Sequence, residues 1–191
     1  IPKHLSMGLL NGLTSDIPLP AAVPLDYRYW YLAGGANTGH GWASWNSPAG
    51  QAVTNYINES NARNLSTAFV YYQIIQSAPH YNEYANLNDP AVMRAYYDDF
   101  KLLMQKIVAS NARGRVLINI EPDLNGVMQQ HPSNKADDAA LQSTSVASSG
   151  QTDGQAFPNT FRGFYQALAH IRDVYAPNVL LGLDVSQWGA G

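Results

Sequence analysis

The chain has 191 residues, of which 46% are hydrophobic and 13% are charged, and its formal net charge is −3. These values indicate one folded domain over residues 1–191 rather than a disordered protein, and the absence of a basic run argues against nucleic-acid binding. The chain has no cysteine, which excludes disulfides and thiolate metal sites. No apolar stretch is long enough to span a membrane.

The first part of the chain predicts two strands. Leu5–Leu10 is a short apolar run, and Tyr27–Leu32 is rich in the aromatic residues that favour strands. Pro18, Pro20 and Pro24 lie between these runs and prevent a helix of useful length. The first connection is therefore predicted to be a loop.

A glycine-rich segment follows the second predicted strand and carries His40, Trp42 and Trp45. It lacks the Lys-Ser/Thr pair of a P-loop, and its glycines do not match a dinucleotide fingerprint, so no cofactor is predicted. We interpret the segment as a flexible loop. Its two indole rings are candidates for stacking on sugars, although each tryptophan also fits a core position.

Helices and strands alternate through the rest of the chain. Helices are predicted at Pro48–Arg63, at Asn88–Ser110 and from Asn159 or Thr160 to Tyr175, each with an apolar stripe at helical spacing. Strands are predicted at Thr67–Ile75, from Val116 to the Glu121-Pro122-Asp123 triplet, and at Val179–Val185. The connection from Leu124 to about Pro158 is long and polar, which is typical of a functional or disordered loop.

Polar residues gather where the fourth and fifth predicted strands end. Asn119 and Glu121 share one face by the alternation of a strand, and Pro122 ends that strand before Asp123. Ligands of parallel α/β folds bind at this edge of the sheet, although each acid also fits a structural role. The candidate catalytic residues are Asp123, Glu121 and Asp184, and the candidate substrate-binding residues are Trp42, Trp45, Trp188, Tyr72, His40 and Asn119.

The alternation of strands and helices predicts a parallel sheet with right-handed crossovers. Two architectures meet this pattern: a TIM-type (β/α) barrel, of which this chain covers about the first five strands, and an open doubly wound parallel sheet. Only Ser186–Gly191 follows the fifth predicted strand, so no helix is left to cover it. We therefore expect a companion segment that completes the barrel.

Two strand ends carry short family motifs. Val116–Asp123 resembles the fourth-strand signature of glycoside hydrolase family 6, the inverting cellulases, and Gly182–Asp184 with Trp188-Gly189 looks like that family's fifth strand. The resemblance implies an incomplete or distorted barrel in which Asp123 is the catalytic acid. After the third strand the family has an Asp-rich segment with a residue that supports this acid, whereas Tyr71–Ser77 contains no carboxylate.

A second resemblance covers most of the chain. Leu32–Gly39 is similar to a pattern found after strand two in uncharacterised secreted barrel proteins of cellulolytic bacteria. That resemblance implies a barrel fold and a secreted protein, but no particular reaction.

Together these features predict a secreted glycoside hydrolase that cleaves a β-linked poly- or oligosaccharide with a carboxyl acid and a carboxylate base. The alternative is a non-catalytic carbohydrate-binding or degenerate barrel protein. His40 and His80 could bind a metal with Glu121 and Asp184, but no His-x-His pattern supports this, so no metal site is predicted.

Overall fold

The computed structural model describes residues 5–13, 24–131 and 139–184. They form an α/β fold in which helices flank a five-stranded, all-parallel sheet of order β1-β2-β3-β4-β5. The strands are β1 (Gly8–Leu10), β2 (Tyr27–Leu32), β3 (Ser66–Tyr71), β4 (Leu117–Ile120) and β5 (Leu180–Leu183). The helices are α1 (Gln51–Ala62), α2 (Glu83–Leu87), α3 (Pro90–Ala109), α4 (Leu124–Gln130) and α5 (Phe161–Tyr175).

The predicted parallel α/β arrangement is confirmed. Among the described strands, β5 is not paired with β1, so an open parallel sheet, the second architecture expected from the sequence, fits them. The bounds of β2 agree with the prediction, whereas β1 starts later than Leu5 and β3 ends before Ile75.

One face of the sheet packs against the helices and forms the core. Phe69 of β3 contacts Tyr56 of α1, and Tyr71 meets the ring of Phe100 in α3. These side chains are fully buried. Burying a side chain such as Phe100 contributes about 1.5–3 kcal/mol, and the apolar stripe of α3 repeats that contribution over its whole length.

The opposite face is only partly covered. Tyr27, Tyr29 and Tyr31 of β2 alternate with helix-facing residues, and Tyr31 is 42% exposed. A cavity of about 490 Å3 lies on this face between β1, β2, β3 and β4, with Asn119 and the rings of Tyr27 and Tyr29 in its lining. Parallel sheets are normally covered on both faces, whereas the described residues cover this face only in part.

Helix starts agree with the sequence only where a side chain caps them. Asp89 accepts the main-chain N–H groups of Ala91 and Val92 and starts α3, as its position before a proline suggests. Helix α1 begins at Gln51 rather than at Pro48, because Gly50 adopts a left-handed φ of 75° and interrupts the helix there.

The segments expected to be loops after β3 and β4 contain two short helices. Both α2 and α4 have fewer residues than an isolated helix needs, so tertiary contacts stabilise them. The ring of Tyr84 in α2 stacks on His131 at the end of α4, with 3.6 Å between centroids. No helix in the described part of the chain has both the length and the apolar character needed to cross a membrane.

Arg28 is a buried charge that the sequence did not reveal. It is 0% exposed, and its Nε atom donates to Asn11 Oδ1 at 2.9 Å. It also donates to Gly12 O and Glu59 Oε2, and its guanidinium lies over the ring of Tyr56. The fork of donors thus fastens the chain after β1 to α1.

Arg28→Lys should lower the free energy of unfolding by about 1–3 kcal/mol, because an ammonium group keeps the charge but cannot reach several acceptors in a plane. Denaturant unfolding measures this difference. Arg63→Lys is the matched control, since the exposed Arg63 donates to the same Asn11 Oδ1. An Arg28→Lys protein as stable as the control would contradict the prediction.

Candidate functional site

Glu121 joins the ends of β3 and β4. Its Oε1 atom accepts the main-chain N–H of Gln73 at 2.9 Å, and Ile74 N lies 3.3 Å from both carboxyl oxygens. The Glu121 N–H in turn donates to Tyr71 O at 2.8 Å. The residue is 1% exposed. The chain leaving β3 is therefore held by a buried carboxyl group at the carboxyl edge of the sheet.

Glu121 does not share the face of Asn119, which corrects the expectation from strand alternation. Its φ is +44°, a left-handed conformation that is uncommon for a residue with a side chain. The strand ends at Ile120, so alternation no longer applies to Glu121. Asn119 instead lines the cavity on the open face of the sheet.

Burial raises the pKa of Glu121 to about 8, even though the N–H groups of Gln73 and Ile74 favour the carboxylate. The hydroxyl of Tyr96 in α3 is close enough to lower this pKa, although it makes no hydrogen bond of normal geometry. The charge of Glu83 raises it further. Around neutral pH the carboxyl group is therefore largely protonated.

The stability of the protein should depend on this proton. The folded state binds it more tightly than the unfolded state, so the contribution of Glu121 is complete below about pH 4.5 and is lost as the pH rises through 8. Relative to wild type, Glu121→Gln should gain stability by up to about 1.4 kcal/mol per pH unit in this window.

Denaturant unfolding at pH 5, 6.5 and 8 would measure that change, with the usual linear extrapolation at each pH. Asp173→Asn is the control, because the Asp173 side chain is 64% exposed and lies beside Arg172. A constant difference between wild type and Glu121→Gln across these pH values would show that Glu121 titrates normally.

Asp123 lies two residues beyond Glu121 and faces Tyr72. The Tyr72 hydroxyl donates to Asp123 Oδ2 at 3.5 Å, at the long limit of a hydrogen bond. Partial burial, followed by the charges of Asp123 and Glu83, raises the pKa of Tyr72 to about 12. Tyr72 therefore stays protonated and remains a donor to Asp123 Oδ2.

Glu83 is a carboxylate at this edge that sequence reasoning missed. It lies in the first turn of α2, after the capping residue Asn82, and its charge acts on both Tyr72 and Glu121. The signal for this helix in the sequence is Asn82, whose side chain accepts the N–H of Ala85 and so caps α2.

Asp184 follows β5, and its main chain is linked to the β4 side of the sheet. Its carbonyl oxygen accepts the side-chain N–H of Asn125 at 2.7 Å, and Asn125 Oδ1 accepts the hydroxyl of Tyr165 at 3.0 Å. The end of β5 is thereby tied to α4 and α5. Trp188, predicted to bind substrate, lies outside the described residues.

The glycine-rich segment after β2 is tied to the segment after β3. Asn37 Nδ2 donates to Ala78 O at 2.6 Å, while Ala78 N donates to Asn37 Oδ1 at 2.9 Å. Gly35 has a φ of +82°, and a Cβ there would lie 2.4 Å from Gln76 O. The expected flexible loop is thus a close-packed pair of loops, and glycine is required where their backbones meet.

Trp42 does not lie at the surface, which corrects the expectation that it stacks on sugars. It is 0% exposed, and its Nε1 atom donates to Asp99 Oδ2 at 2.6 Å. The hydroxyl of Tyr71 donates to the same oxygen at 2.6 Å. Burial raises the pKa of Asp99 to about 6 against these two donors. This trio belongs to the core between β3 and α3.

Trp45 and His40 lie at the surface of the same segment. Trp45 is 39% exposed, packs against Trp30 with 5.0 Å between centroids and 47° between the ring planes, and donates from Nε1 to His40 O. His40 is exposed. These two residues are not brought into contact with Asp123 by any described interaction.

Among the described residues, His40 and His80 are not arranged to bind a metal ion with Glu121 and Asp184. His80 Nε2 lies 2.9 Å from Asp89 Oδ2, and this contact lowers the pKa of Asp89. Within the described ranges, no group of three or more His, Asp or Glu side chains is arranged to hold a metal ion.

Comparison with protein-family models, with curated proteins and with solved structures finds no match to the chain. The candidate site consists of a partly buried Asp123 paired with Tyr72, the buried Glu121, and Asp184 at the next strand end.

Proposed function

We propose that this chain is part of a glycoside hydrolase that acts on a β-linked polysaccharide, with Asp123 as the general acid. The observation that carries the proposal is the Tyr72–Asp123 pair at the carboxyl edge of a parallel sheet, where such folds place their chemistry. The short likeness of Val116–Asp123 to family 6 cellulases supports the same role for Asp123.

The chemistry requires two carboxyl groups in different protonation states. Asp123 would protonate the glycosidic oxygen as its bond to the anomeric carbon breaks. A second carboxylate would take a proton from the water whose oxygen bonds to that carbon. Asp184 is the candidate base, and in an inverting enzyme its carboxylate would lie about 6.5–9.5 Å from that of Asp123.

Family 6 has a residue after strand three that supports the catalytic acid, and this chain differs from the family there. Tyr71–Ser77 contains no carboxylate, which departs from the family. Tyr72 donates to Asp123 from this segment, and Glu83 adds a negative charge nearby. We infer that these two residues take over the support of the acid.

We further propose that the sheet is part of a TIM-type barrel. The strand order supports this proposal, because each strand lies beside the next one in sequence, as the strands of such a barrel do. The partly exposed tyrosines of β2 would then face the barrel interior. A companion segment with further β/α units would cover them and close the barrel, and secretion would bring the enzyme to its substrate.

The experiment is to incubate the protein with glucans, xylans and mannans and to measure the release of reducing ends. The expected result is release from at least one β-linked glycan, with inversion at the anomeric carbon detected by NMR of the first products. Release of no reducing end from any glycan by the protein with its companion segment would contradict the proposal.

A non-catalytic carbohydrate-binding protein is the second candidate, favoured by the row of half-exposed tyrosines and the 490 Å3 cavity beside them. Tyrosine rings stack on sugar faces and keep a hydroxyl for hydrogen bonding. This candidate predicts that the protein is retained on insoluble glycan without releasing product. Tyr31→Ala should weaken this retention, and Trp45→Ala tests whether the neighbouring loop contributes to it. Retention that neither change affects would exclude these surfaces.

A further inference from the structure

Glu121 is placed where it cannot touch a substrate. Its side chain is buried, and both carboxyl oxygens face the main-chain N–H groups of residues 73 and 74. Those two amides directly follow Tyr72, which is the residue that donates to Asp123. The carboxyl group therefore acts on the backbone that carries the partner of the proposed acid.

The conformation of Glu121 is itself unusual. A non-glycine residue with positive φ costs of order 1–3 kcal/mol and persists only where its surroundings hold it, often at functional sites. At Glu121 the two amides provide that hold, and Pro122 then leads the chain to Asp123. One strained residue thus connects the Tyr72 backbone to the Asp123 backbone.

Tyrosines surround this carboxyl group and exclude water from it. Glu121 interacts with Tyr71 of β3, Tyr96 of α3 and Tyr165 of α5, and the charge that acts on it is that of Glu83 in α2. In none of these interactions does a cation face Glu121. A neutral group that accepts the two N–H donors therefore suits the site.

We propose that Glu121 is a positioning residue, whose carboxyl group clamps the amides of Gln73 and Ile74 and so holds the Tyr72 hydroxyl on Asp123. The proposal rests on the proposed function for the role of Asp123. It assigns Glu121 no proton transfer to the substrate. The catalytic rate should then depend on the length of the Glu121 side chain and on its oxygen acceptor, and not on its acidity.

Three variants separate reach from acidity. Glu121→Gln keeps the length and an acceptor oxygen, Glu121→Asp keeps the acid but is one carbon shorter, and Glu121→Ala removes both. A positioning role predicts that Glu121→Gln lowers kcat by no more than about fivefold. Glu121→Asp and Glu121→Ala should lower kcat by about 10–100-fold with KM nearly unchanged, because a misplaced acid loses rate rather than binding.

The reverse order, with Glu121→Asp more active than Glu121→Gln, would overturn the proposal, since a group that transfers protons tolerates loss of length better than loss of the acid. A second overturning result is a kcat of Glu121→Ala within about threefold of wild type. If Glu121→Ala fails to fold, the Gln and Asp variants still decide between the two orders.

Amide hydrogen exchange tests the clamp without any glycan. Exchange at Gln73 and Ile74 should be about 10-fold or more faster in Glu121→Asp than in wild type or Glu121→Gln, because opening of the clamp exposes these donors. The amide of Val70, inside β3, is the internal control. Equal protection in all proteins would overturn the clamp.

The two readouts distinguish failure of the inference from failure of the proposed function. If no protein hydrolyses any glycan but the two amides lose protection in Glu121→Asp, the proposed function fails while the clamp on Tyr72 stands. If wild type hydrolyses a glycan and the amides stay protected in every variant, the function stands and the clamp fails.

Discussion

Asp123→Asn is expected to lower kcat for glycan hydrolysis by about 10²–10⁴-fold, the range that a general acid contributes. The amide is nearly isosteric and still accepts from Tyr72, so binding and stability should change little. Only the proton that the leaving group needs is lost. Initial rates of reducing-end release on the best glycan would measure the effect.

The leaving group supplies a sharper version of this test. An aryl glycoside with a strongly acidic phenol needs little protonation, so its cleavage by Asp123→Asn should approach the wild-type rate far more closely than cleavage of the polysaccharide does. Asp173→Asn serves as the matched control, because Asp173 lies on the exposed side of α5. Equal losses on both substrates would remove the acid role from Asp123.

Trp42→Ala should lower the free energy of unfolding by about 3–5 kcal/mol, as is typical when a large aromatic side chain is removed from a core. The change leaves a cavity beside α1 and α3 and takes one donor from the buried Asp99. A chain of this size can lose much of its net stability through such a change. Denaturant unfolding followed by Tyr and Trp fluorescence would measure it.

Two controls separate the causes of that loss. Trp45→Ala removes a part-exposed ring of the same segment and should cost about 1 kcal/mol or less. Trp42→Phe keeps most of the packing but removes the donor to Asp99, and should cost about 1–3 kcal/mol. A Trp42→Ala protein as stable as Trp45→Ala would mean that Trp42 is not a core residue.

Long, periodic elements were predictable from the sequence because local pattern and tertiary packing agree in them. Helix α3 has apolar residues at helical spacing and an Asp-Pro start, and its bounds agree with the prediction. The aromatic run of β2 is a strand with the expected ends. The short α2 and α4 carry too little local preference, and their formation depends on contacts such as that of Tyr84 with His131.

The location of the candidate site in the fold was predictable from the sequence, but the arrangement of its side chains was not. The polar ends of β4 and β5 indicated the carboxyl edge, where Asp123 and Asp184 lie. The inward turn of Glu121 was not predictable, because positive φ at a glutamate depends on the amides that hold it. The burial of Trp42 depends likewise on Asp99, a residue far away in sequence.

The hydrogen bonds between Asn37 and Ala78 have a consequence for ligand association. Each residue both donates to and accepts from the other, so the segments after β2 and β3 are fastened to each other. A ligand that binds against this double segment meets groups that are already ordered, and little conformational entropy is lost on binding. Selection among ligands at these two segments would then depend on their fixed shape rather than on closure of the loops around each ligand.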